Sequence, residues 1–357
     1  MARTALITGI TGQDGAYLAK LLLDKGYRVY GTYRRLSTPN YWRLHHLDVF
    51  NRVSLIPADL TDLSSLYRAV NTAQPDEVYN LAAQSFVSLS FEQPIADFLT
   101  TGLGVARMLE VIRTTNPTIR FYQASTSELY GNGVSGSLSE ETVFHPASPY
   151  AAAKLYGYWI TRYYRERHGI FACNGILFNH ESPLRGLEFV TRKITNAAAK
   201  IALGLEKELK MGNMSAQRDW GYAPEFVNAM WLMLQQDQPD DYVVATGETH
   251  SVQEFIERSF SAAGLDWQRY VSTDSRFLRP IDVSHLRGNY SRAKERLGWE
   301  PGVKFNGLVD IMVKEDMERW RRWQCGEFFH WDALNYESEH NIILSRDSYK
   351  GKKVQGY

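Results

Sequence analysis

Thr4-Ala-Leu-Ile-Thr-Gly-Ile-Thr-Gly-Gln-Asp-Gly15 decides the fold. Thr4 to Thr8 reads as a short buried strand, and Tyr17 to Lys25 carries a helical pattern. A second strand, Arg28 to Thr32, completes a β-α-β unit. Gly9, Gly12 and Gly15 therefore fall where a dinucleotide-binding loop belongs, with Gln13 and Asp14 between them. Glycines there let the backbone approach a pyrophosphate, and the helix N-terminus offers N–H donors to it. A glycine triplet by itself equally marks a tight turn; its place between strand and helix points to a cofactor. Roughly 20 residues beyond the loop, an NAD-dependent protein usually carries Asp or Glu for the ribose hydroxyl. Here the second strand ends in Tyr33-Arg34-Arg35-Leu36-Ser37. Guanidiniums suit a 2′-phosphate, so NADP rather than NAD is expected.

Outward from this unit, strand and helix signals alternate. Val53 to Pro57, Glu77 to Ala83, Arg120 to Thr126 and Ile170 to Phe178 read as strands. Helical patterns begin near Leu63, run from Phe98 to Arg113 and run from Tyr150 to Arg167. This order predicts an α/β fold: a Rossmann-type doubly wound parallel sheet with a smaller, mostly helical C-terminal substrate lobe. Residues 1–180 form the expected NADP-binding domain, to which residues 240–247 return as a strand. Residues 181–325 form the expected interleaved lobe, with helices over Phe189–Leu203, Pro224–Gln236, Val252–Ala263, Ser291–Leu297 and Val309–Trp323. Residues 326–357 are a C-terminal extension. Asp59 is placed either against an adenine amino group or as a turn residue. Small residues at the end of Glu77–Ala83 leave room for a ribose and phosphate.

A second stretch carries the chemistry. Ala124-Ser-Thr-Ser-Glu-Leu-Tyr130 puts Thr126 and Glu128 at the carboxyl end of a strand, where open α/β sheets bind ligands. Tyr150 and Lys154, four apart on one helix, share a face. A free tyrosine has a pKa of about 10 and is a poor base at neutral pH. A neighbouring ammonium favours the phenolate and brings it into range. Tyr-x-x-x-Lys also occurs by chance on helices; the strand-end Thr126 and Glu128 raise its meaning.

Composition excludes several classes. The 357 residues carry 40 basic and 40 acidic side chains, so no global field points to nucleic acid or a membrane surface. Cys173 and Cys325 make no disulfide framework and have no metal-ligand spacing; no metal is expected, and both read as reduced thiols of a cytoplasmic protein. No apolar run approaches the roughly 18 residues of a membrane span.

The glycine loop, the Thr126-x-Glu128 strand end and the Tyr150/Lys154 pair resemble the extended short-chain dehydrogenase/reductase superfamily. Within it, Gly9–Gly15, Asn80–Ser85, Phe121–Gly131, Gly175–Ser182, Phe189–Ile194 and Ala216–Gly221 resemble the GDP-mannose 4,6-dehydratases, over residues 3 to about 315. The resemblance implies that Gly9, Gly12, Gln13, Asp14 and Gly15 carry the NADP pyrophosphate, and Arg34, Arg35 and Ser37 the 2′-phosphate. It puts Asp59 and Leu60 at the adenine and Leu81, Ala82, Ala83, Gln84 and Ser85 on the nicotinamide side. It also implies cofactor contacts for His180 and Arg185. Tyr150 would be the base, Lys154 its partner, Thr126 a donor to sugar O4, and Glu128 the group that eliminates water. Ser85, Asn179, Lys193, Gly212, Arg218, Arg279 and Asp282 would surround a GDP-sugar. The family suggests a homodimer or homotetramer. Ala96 stands where the family often has Tyr, and Asp282 where it has Glu.

The implied reaction converts GDP-D-mannose to GDP-4-keto-6-deoxy-D-mannose without net redox change. The same steps on a GDP-heptose remain open, as does an NADP-dependent nucleotide-sugar reductase or epimerase. Hydride transfer by itself needs no Glu128. A cofactor-binding sensor on this fold would not need the full set of four catalytic side chains.

Overall fold

Leu6 points to one face of its strand while Ala5 and Ile7 point to the other, and all are buried, because both faces of the sheet are covered. The structure, a computed structural model, describes residues 2–37, 40–132, 136–277 and 285–327. The described residues fall into two compact units. One lies within Met1–His180, Ala216–His250 and Arg279–Lys304, the other within Glu181–Ser215, Ser251–Leu278 and Phe305–Tyr357.

The first unit is built on a seven-stranded sheet. Its strands are β1 (Thr4–Thr8), β2 (Arg28–Tyr33), β3 (Ser54–Pro57), β4 (Glu77–Asn80), β5 (Arg120–Ala124), β6 (Ala172–Leu177) and β7 (Asp241–Val244). They lie in the order β7-β6-β5-β4-β1-β2-β3, and every adjacent pair is parallel. The order reverses between β1 and β4, the switch point at which such sheets bind ligands. Helix α1 (Gln13–Asp24) packs on one face, with Phe226 and Met230 of the helix Ala223–Met233. Helices α2 (Leu63–Ala73) and α3 (Leu103–Thr115) cover the other. Helix α4 (Pro149–His168) packs against α3.

Three differences from the sequence reading have local causes. Strand β4 stops at Asn80, because the N–H groups of Leu81 and Ala82 turn to the Thr8 hydroxyl, 3.1 Å from each. The helix expected from Phe98 opens with a π turn, Phe98–Gly102, before α3 begins. Short helices, Trp42–His46, Val87–Glu92 and Pro94–Asp97, carry too few residues for a periodic signal.

The second unit has its own helical core, Val190–Ala202, Val252–Ala262 and Phe305–Gln324, beside the parallel strand pair Leu209–Met211 and Val271–Thr273. Arg192, fully buried, donates from Nε to both oxygens of buried Asp316 at 3.0 Å. Thr195 donates to the same carboxylate at 2.7 Å.

In the first unit, Asp241 performs a similar task at the start of β7. Arg165 binds its two oxygens at 2.8 and 2.9 Å, and the Asn174 side chain and backbone N–H donate at 2.9 and 3.1 Å. Burial works to raise this carboxyl's pKa; the bonds from Arg165 and Asn174 outweigh it and leave the group below its ordinary value. A depressed carboxyl contributes stability that is present above its unfolded pKa and lost as pH falls through the folded one. Breaking a buried pair costs about 3–5 kcal/mol. Asp241→Ala is therefore predicted to lower the urea midpoint by that equivalent at neutral pH. The gap from the parent should narrow as the pH drops below about 4; a gap independent of pH would show that the charge is not what Asp241 contributes.

Candidate active site

The carboxyl ends of β1, β4 and β5 are laced by side chains. Thr8 Oγ1 donates to Asn80 Oδ1 at 2.7 Å, Asn80 Nδ2 to Gln123 Oε1 at 2.8 Å, and Gln123 Nε2 to the Ala124 carbonyl at 2.9 Å. Lys154 Nζ ends the chain by donating to that same carbonyl at 2.7 Å. All four side chains are buried.

Past β5 the chain enters a short 3-10 turn, Ser127–Tyr130, capped by Thr126, whose hydroxyl accepts the Glu128 N–H at 3.3 Å. Gly131 ends it at φ +55, and a Cβ there would sit 1.9 Å from the His145 carbonyl, so only glycine fits. Ser148 caps α4 by accepting the Ala151 N–H at 3.1 Å, and Pro149 fills the first helical position. One turn in stand Tyr150 and Lys154, both buried. The Lys154 ammonium is 5.8 Å from the Tyr150 ring centroid. Burial pushes the Lys154 pKa down to about 8, against the opposing pull of the Asp97 and Asp14 carboxylates. It is still mostly an ammonium at neutral pH. Thr126 is buried, while Glu128 is half-buried.

At the end of β1, Gly9 takes φ +70, and a Cβ there would press at 3.0 Å on the Ala82 backbone. A Cβ on Gly15 would lie 2.5 Å from the Gly9 carbonyl, so the turn and the start of α1 close tightly. Gly12 caps α1, its N–H bonded to Gly9 O at 3.0 Å. Gln13 Nε2 donates to the His180 carbonyl at 3.1 Å and to Asp14 Oδ1 at 3.0 Å. His180 stacks on Phe226 with Nε2 2.8 Å from Asp14 Oδ2 and Nδ1 2.7 Å from the Phe178 carbonyl. A carbonyl only accepts, so the Nδ1 that faces it carries a proton.

Arg34, Arg35 and Ser37 follow β2 and are exposed. Asp59 uses Oδ1 in a turn, accepting the Thr61 N–H at 2.8 Å and its hydroxyl at 2.7 Å. Leu60 is buried beside Gly104. Leu81, Ala82, Ala83 and Gln84 are half-buried after β4, and Ser85 is exposed. Asn179 is half-buried after β6. Buried Arg218 donates to the Gln217 carbonyl at 2.9 Å. Its neighbour Asp219 accepts N–H bonds from Thr246, Gly247 and Gly288 and the Thr246 hydroxyl. Burial outweighs those donors and pushes the Asp219 carboxyl up to about 6.

The residues expected around the cofactor and the reacting sugar thus share the first unit, apart from those that the second unit carries. There Arg185 pairs with Glu181 at 3.2 Å and lies over Phe189. Lys193 donates to the Lys210 carbonyl at 2.6 Å and stands 3.7 Å over the Phe277 ring; burial lowers its pKa. Gly212 meets the Phe277 carbonyl so closely that a Cβ would sit 2.3 Å from it. Arg279 and Asp282 lie outside the described residues. The sequence reading missed Arg43, a buried guanidinium bonded at 3.2 Å to the Thr11 carbonyl of the glycine loop. It also missed the pair Asp97 and Thr101. Arg43 lies on a short helix, Asp97 directly before a π turn and Thr101 within it, so none falls on a recognisable motif.

No described helix is long and apolar enough to cross a membrane, and Cys173 and Cys325 are free. Among the described residues no cluster of three or more His, Cys, Asp or Glu could hold a metal ion.

A family model described as GDP-mannose 4,6 dehydratase matches residues 6–312. The chain is 53% identical over 332 residues to GDP-mannose 4,6 dehydratase 2 of Arabidopsis thaliana, covering 90% of this chain and 88% of that one. It is 46% identical over 342 residues to the human GDP-mannose 4,6 dehydratase, covering 89% and 92%. In fold it is similar to UDP-glucose 4-epimerase of Thermotoga maritima, with a TM-score of 0.79 at 23% identity over 88% of this chain and 99% of that one. A dTDP-glucose 4,6-dehydratase from Streptomyces venezuelae, solved with NAD and TYD bound, gives 0.78 at 22% identity over 89% and 98%. With residues 6–312 matched and relatives about half identical over nearly their full lengths, the chain belongs to the GDP-mannose 4,6-dehydratase family.

Proposed function

We propose that this enzyme converts GDP-D-mannose to GDP-4-keto-6-deoxy-D-mannose as a hydro-lyase, using NADP. The observation that carries the reading is the gathering of Thr126 and Glu128 past β5 with the buried Tyr150 and Lys154 one helical turn apart. The relatives named above as GDP-mannose 4,6 dehydratases support the substrate.

The residues fit a nicotinamide dinucleotide. Gly9, Gly12 and Gly15 form a tight cradle that a Cβ would fill, at the start of a helix whose first-turn N–H groups suit phosphate. Gln13, Asp14, His180 and Arg43 brace it. Exposed Arg34, Arg35 and Ser37 would meet the 2′-phosphate, and Leu60 the adenine, beside Asp59. The segment Leu81–Ser85 would take the nicotinamide side. Such a dinucleotide would supply a hydride acceptor for sugar C4 and return the hydride to C6 after water has left, with C5 then taking up a proton from solvent.

The side chains do the rest. Thr126 donates to O4, and Tyr150 takes the C4 hydroxyl proton while Lys154 stabilises its phenolate. The resulting ketone acidifies the C5 hydrogen. Glu128 removes it and passes a proton to the departing C6 hydroxyl, releasing water. Asn179, Ser85 and Arg218 would line the sugar nucleotide. By the resemblance, Lys193, Gly212, Arg279 and Asp282 belong to the sugar-nucleotide residues and Arg185 to the cofactor residues. Lys193 and Arg218 suit a diphosphate as charge-assisted donors.

A homodimer or homotetramer is supported by large apolar side chains left exposed around the π turn and on α4: Ile95, Phe98, Leu99, Trp159 and Tyr163. The free thiols suit a cytoplasmic setting.

The direct test is proton NMR of the purified protein with GDP-mannose and NADP in deuterated water. A C6 methyl signal, deuterium at C5 and no net NADPH are expected. No product from GDP-mannose, with a GDP-heptose consumed instead, would overturn the substrate. Glu128→Gln is predicted to cut kcat by at least ~100-fold while dinucleotide titration stays near the parent; normal turnover would remove Glu128 from the elimination. Arg35→Ala is predicted to weaken NADP about tenfold, or roughly 1.4 kcal/mol, and leave NAD nearly unchanged. Equal losses for both would sink the 2′-phosphate role.

A further inference from the structure

Asp97 is a carboxylate that the mechanism above does not use. It is 1% exposed, at the end of the short helix Pro94–Asp97 and directly before the π turn. A carboxylate taken so far out of water needs partners, since effective desolvation costs several kcal/mol per ion. One oxygen has a hydrogen bond: Thr101 Oγ1 donates to Oδ1 at 2.7 Å. The same hydroxyl accepts the backbone N–H of Gln84 at 3.1 Å, tying the carboxylate to the segment after β4. The other oxygen, Oδ2, is buried and has no hydrogen-bond partner among the described residues.

The π turn and the helix it opens run unusually close to α4. A Cβ on Gly102 would sit 3.2 Å from the Ala153 carbonyl, the residue before Lys154. One on Gly157 would sit 3.1 Å from Val105 of α3. Phe98 packs on Tyr156, ring centroids 5.6 Å apart. A π turn widens the helix by a residue and is common at functional sites. Here it joins Asp97 to Thr101 across the turn while glycine lets α4 approach. The result is that Asp97 and Lys154 lie within electrostatic reach of each other.

We propose that Asp97 is a positioning residue for the reaction: its buried carboxylate, held by Thr101 where the π turn closes on α4, is a countercharge to Lys154, the partner of Tyr150. The proposal rests on the dehydratase reading above. Its logic is electrostatic. Lys154 is faced by Asp97 from the segment before α3, Asp14 from α1, the Ala124 carbonyl from β5 and Tyr150 on its own helix. Burial drives the lysine towards neutrality and the two carboxylates oppose it, Asp97 ahead of Asp14. Asp97 is itself pushed up by burial and drawn back by Thr101 and then Lys154. Without that carboxylate the ammonium would give up its proton at lower pH. Tyr150 would then lose the charge that favours its phenolate.

The test is the pH profile of kcat/KM for GDP-mannose across about pH 6 to 10. In the parent, the alkaline limb should fall near pH 8, where Lys154 loses its proton. Asp97→Asn is expected to move that limb down by about a unit, a roughly tenfold loss on its alkaline side, with KM little changed. Asp97→Glu should bring the limb back toward the parent position. A limb that stays in place in Asp97→Asn, whatever the melting temperature does, would overturn the proposal, because a purely structural carboxylate would lower stability without moving it. A second measurement needs no turnover. In a Lys154→Met background, Asp97→Asn should cost less in melting temperature than it does in the parent; equal costs would overturn the pairing. If Asp97→Asn does not fold, the double variant should, and its failure to fold counts against the proposal. A parent chain that makes no 4-keto-6-deoxy product, combined with non-additive melting, would sink the dehydratase reading and leave the Asp97–Lys154 pairing standing.

Discussion

The buried hydrogen-bond chain from Thr8 through Asn80 and Gln123 to the Ala124 carbonyl is what the rest of the first unit depends on. Each amide in it is out of water, so losing one partner leaves a polar group whose desolvation goes unrecovered, at about 1–3 kcal/mol. Every link is made, and the strands are therefore fixed in relative height at their carboxyl ends. From those ends leave the glycine loop, the segment Leu81–Ser85 and the Thr126–Glu128 turn. Thr8 does two jobs, donating to Asn80 and accepting the N–H groups that stop β4. Lys154 closes the chain, so α4 is tied to the sheet by a buried ammonium.

Much of this was legible from sequence for a physical reason. Buried parallel strands write continuous apolar runs, and a phosphate loop needs glycine at fixed spacing, so the β-α-β opening stood out. The strand at 240–247 was expected to rejoin the sheet, and β7 (Asp241–Val244) pairs with β6. The places of Thr126 and Glu128 past a strand end, and of Tyr150 and Lys154 on one helix, were legible because two short motifs hold them. What was not legible depends on packing between distant segments. Asp59 was left between two roles, and its carboxylate turned out to make a turn with Thr61. Arg43 sits in no motif, yet its guanidinium is buried on the Thr11 carbonyl. Asp97 carries no motif; its place follows from a π turn and from glycines that let two helices touch, neither of which has a period to detect.

The second unit solves its stability by different means. Arg192, Thr195 and Arg319 converge on the Asp316 carboxylate, and the two guanidiniums also hold the Pro183 carbonyl at 2.6 and 2.9 Å. Arg192 further binds the Arg185 carbonyl at 2.9 Å. A buried charge cluster of this kind adds little net stability over apolar packing, but it specifies backbone position. The segment so positioned is the one that presents Arg185.

The lysine in the first unit shows how burial is used rather than merely tolerated. A solvated lysine at its ordinary pKa of about 10.4 would be charged at all working pH, but its field would be screened by water. Withdrawing it into the protein strengthens its effect on Tyr150, because an effective dielectric near 20 replaces one near 80. The same withdrawal threatens the charge itself, bringing its pKa to about 8. The site sits between these limits because carboxylates stand nearby to offset part of the loss. Glu128, past the end of β5, is by contrast half-buried. The depth at which the lysine sits, set by the sheet ends and by the close approach of the π turn to α4, is thus the quantity the fold controls.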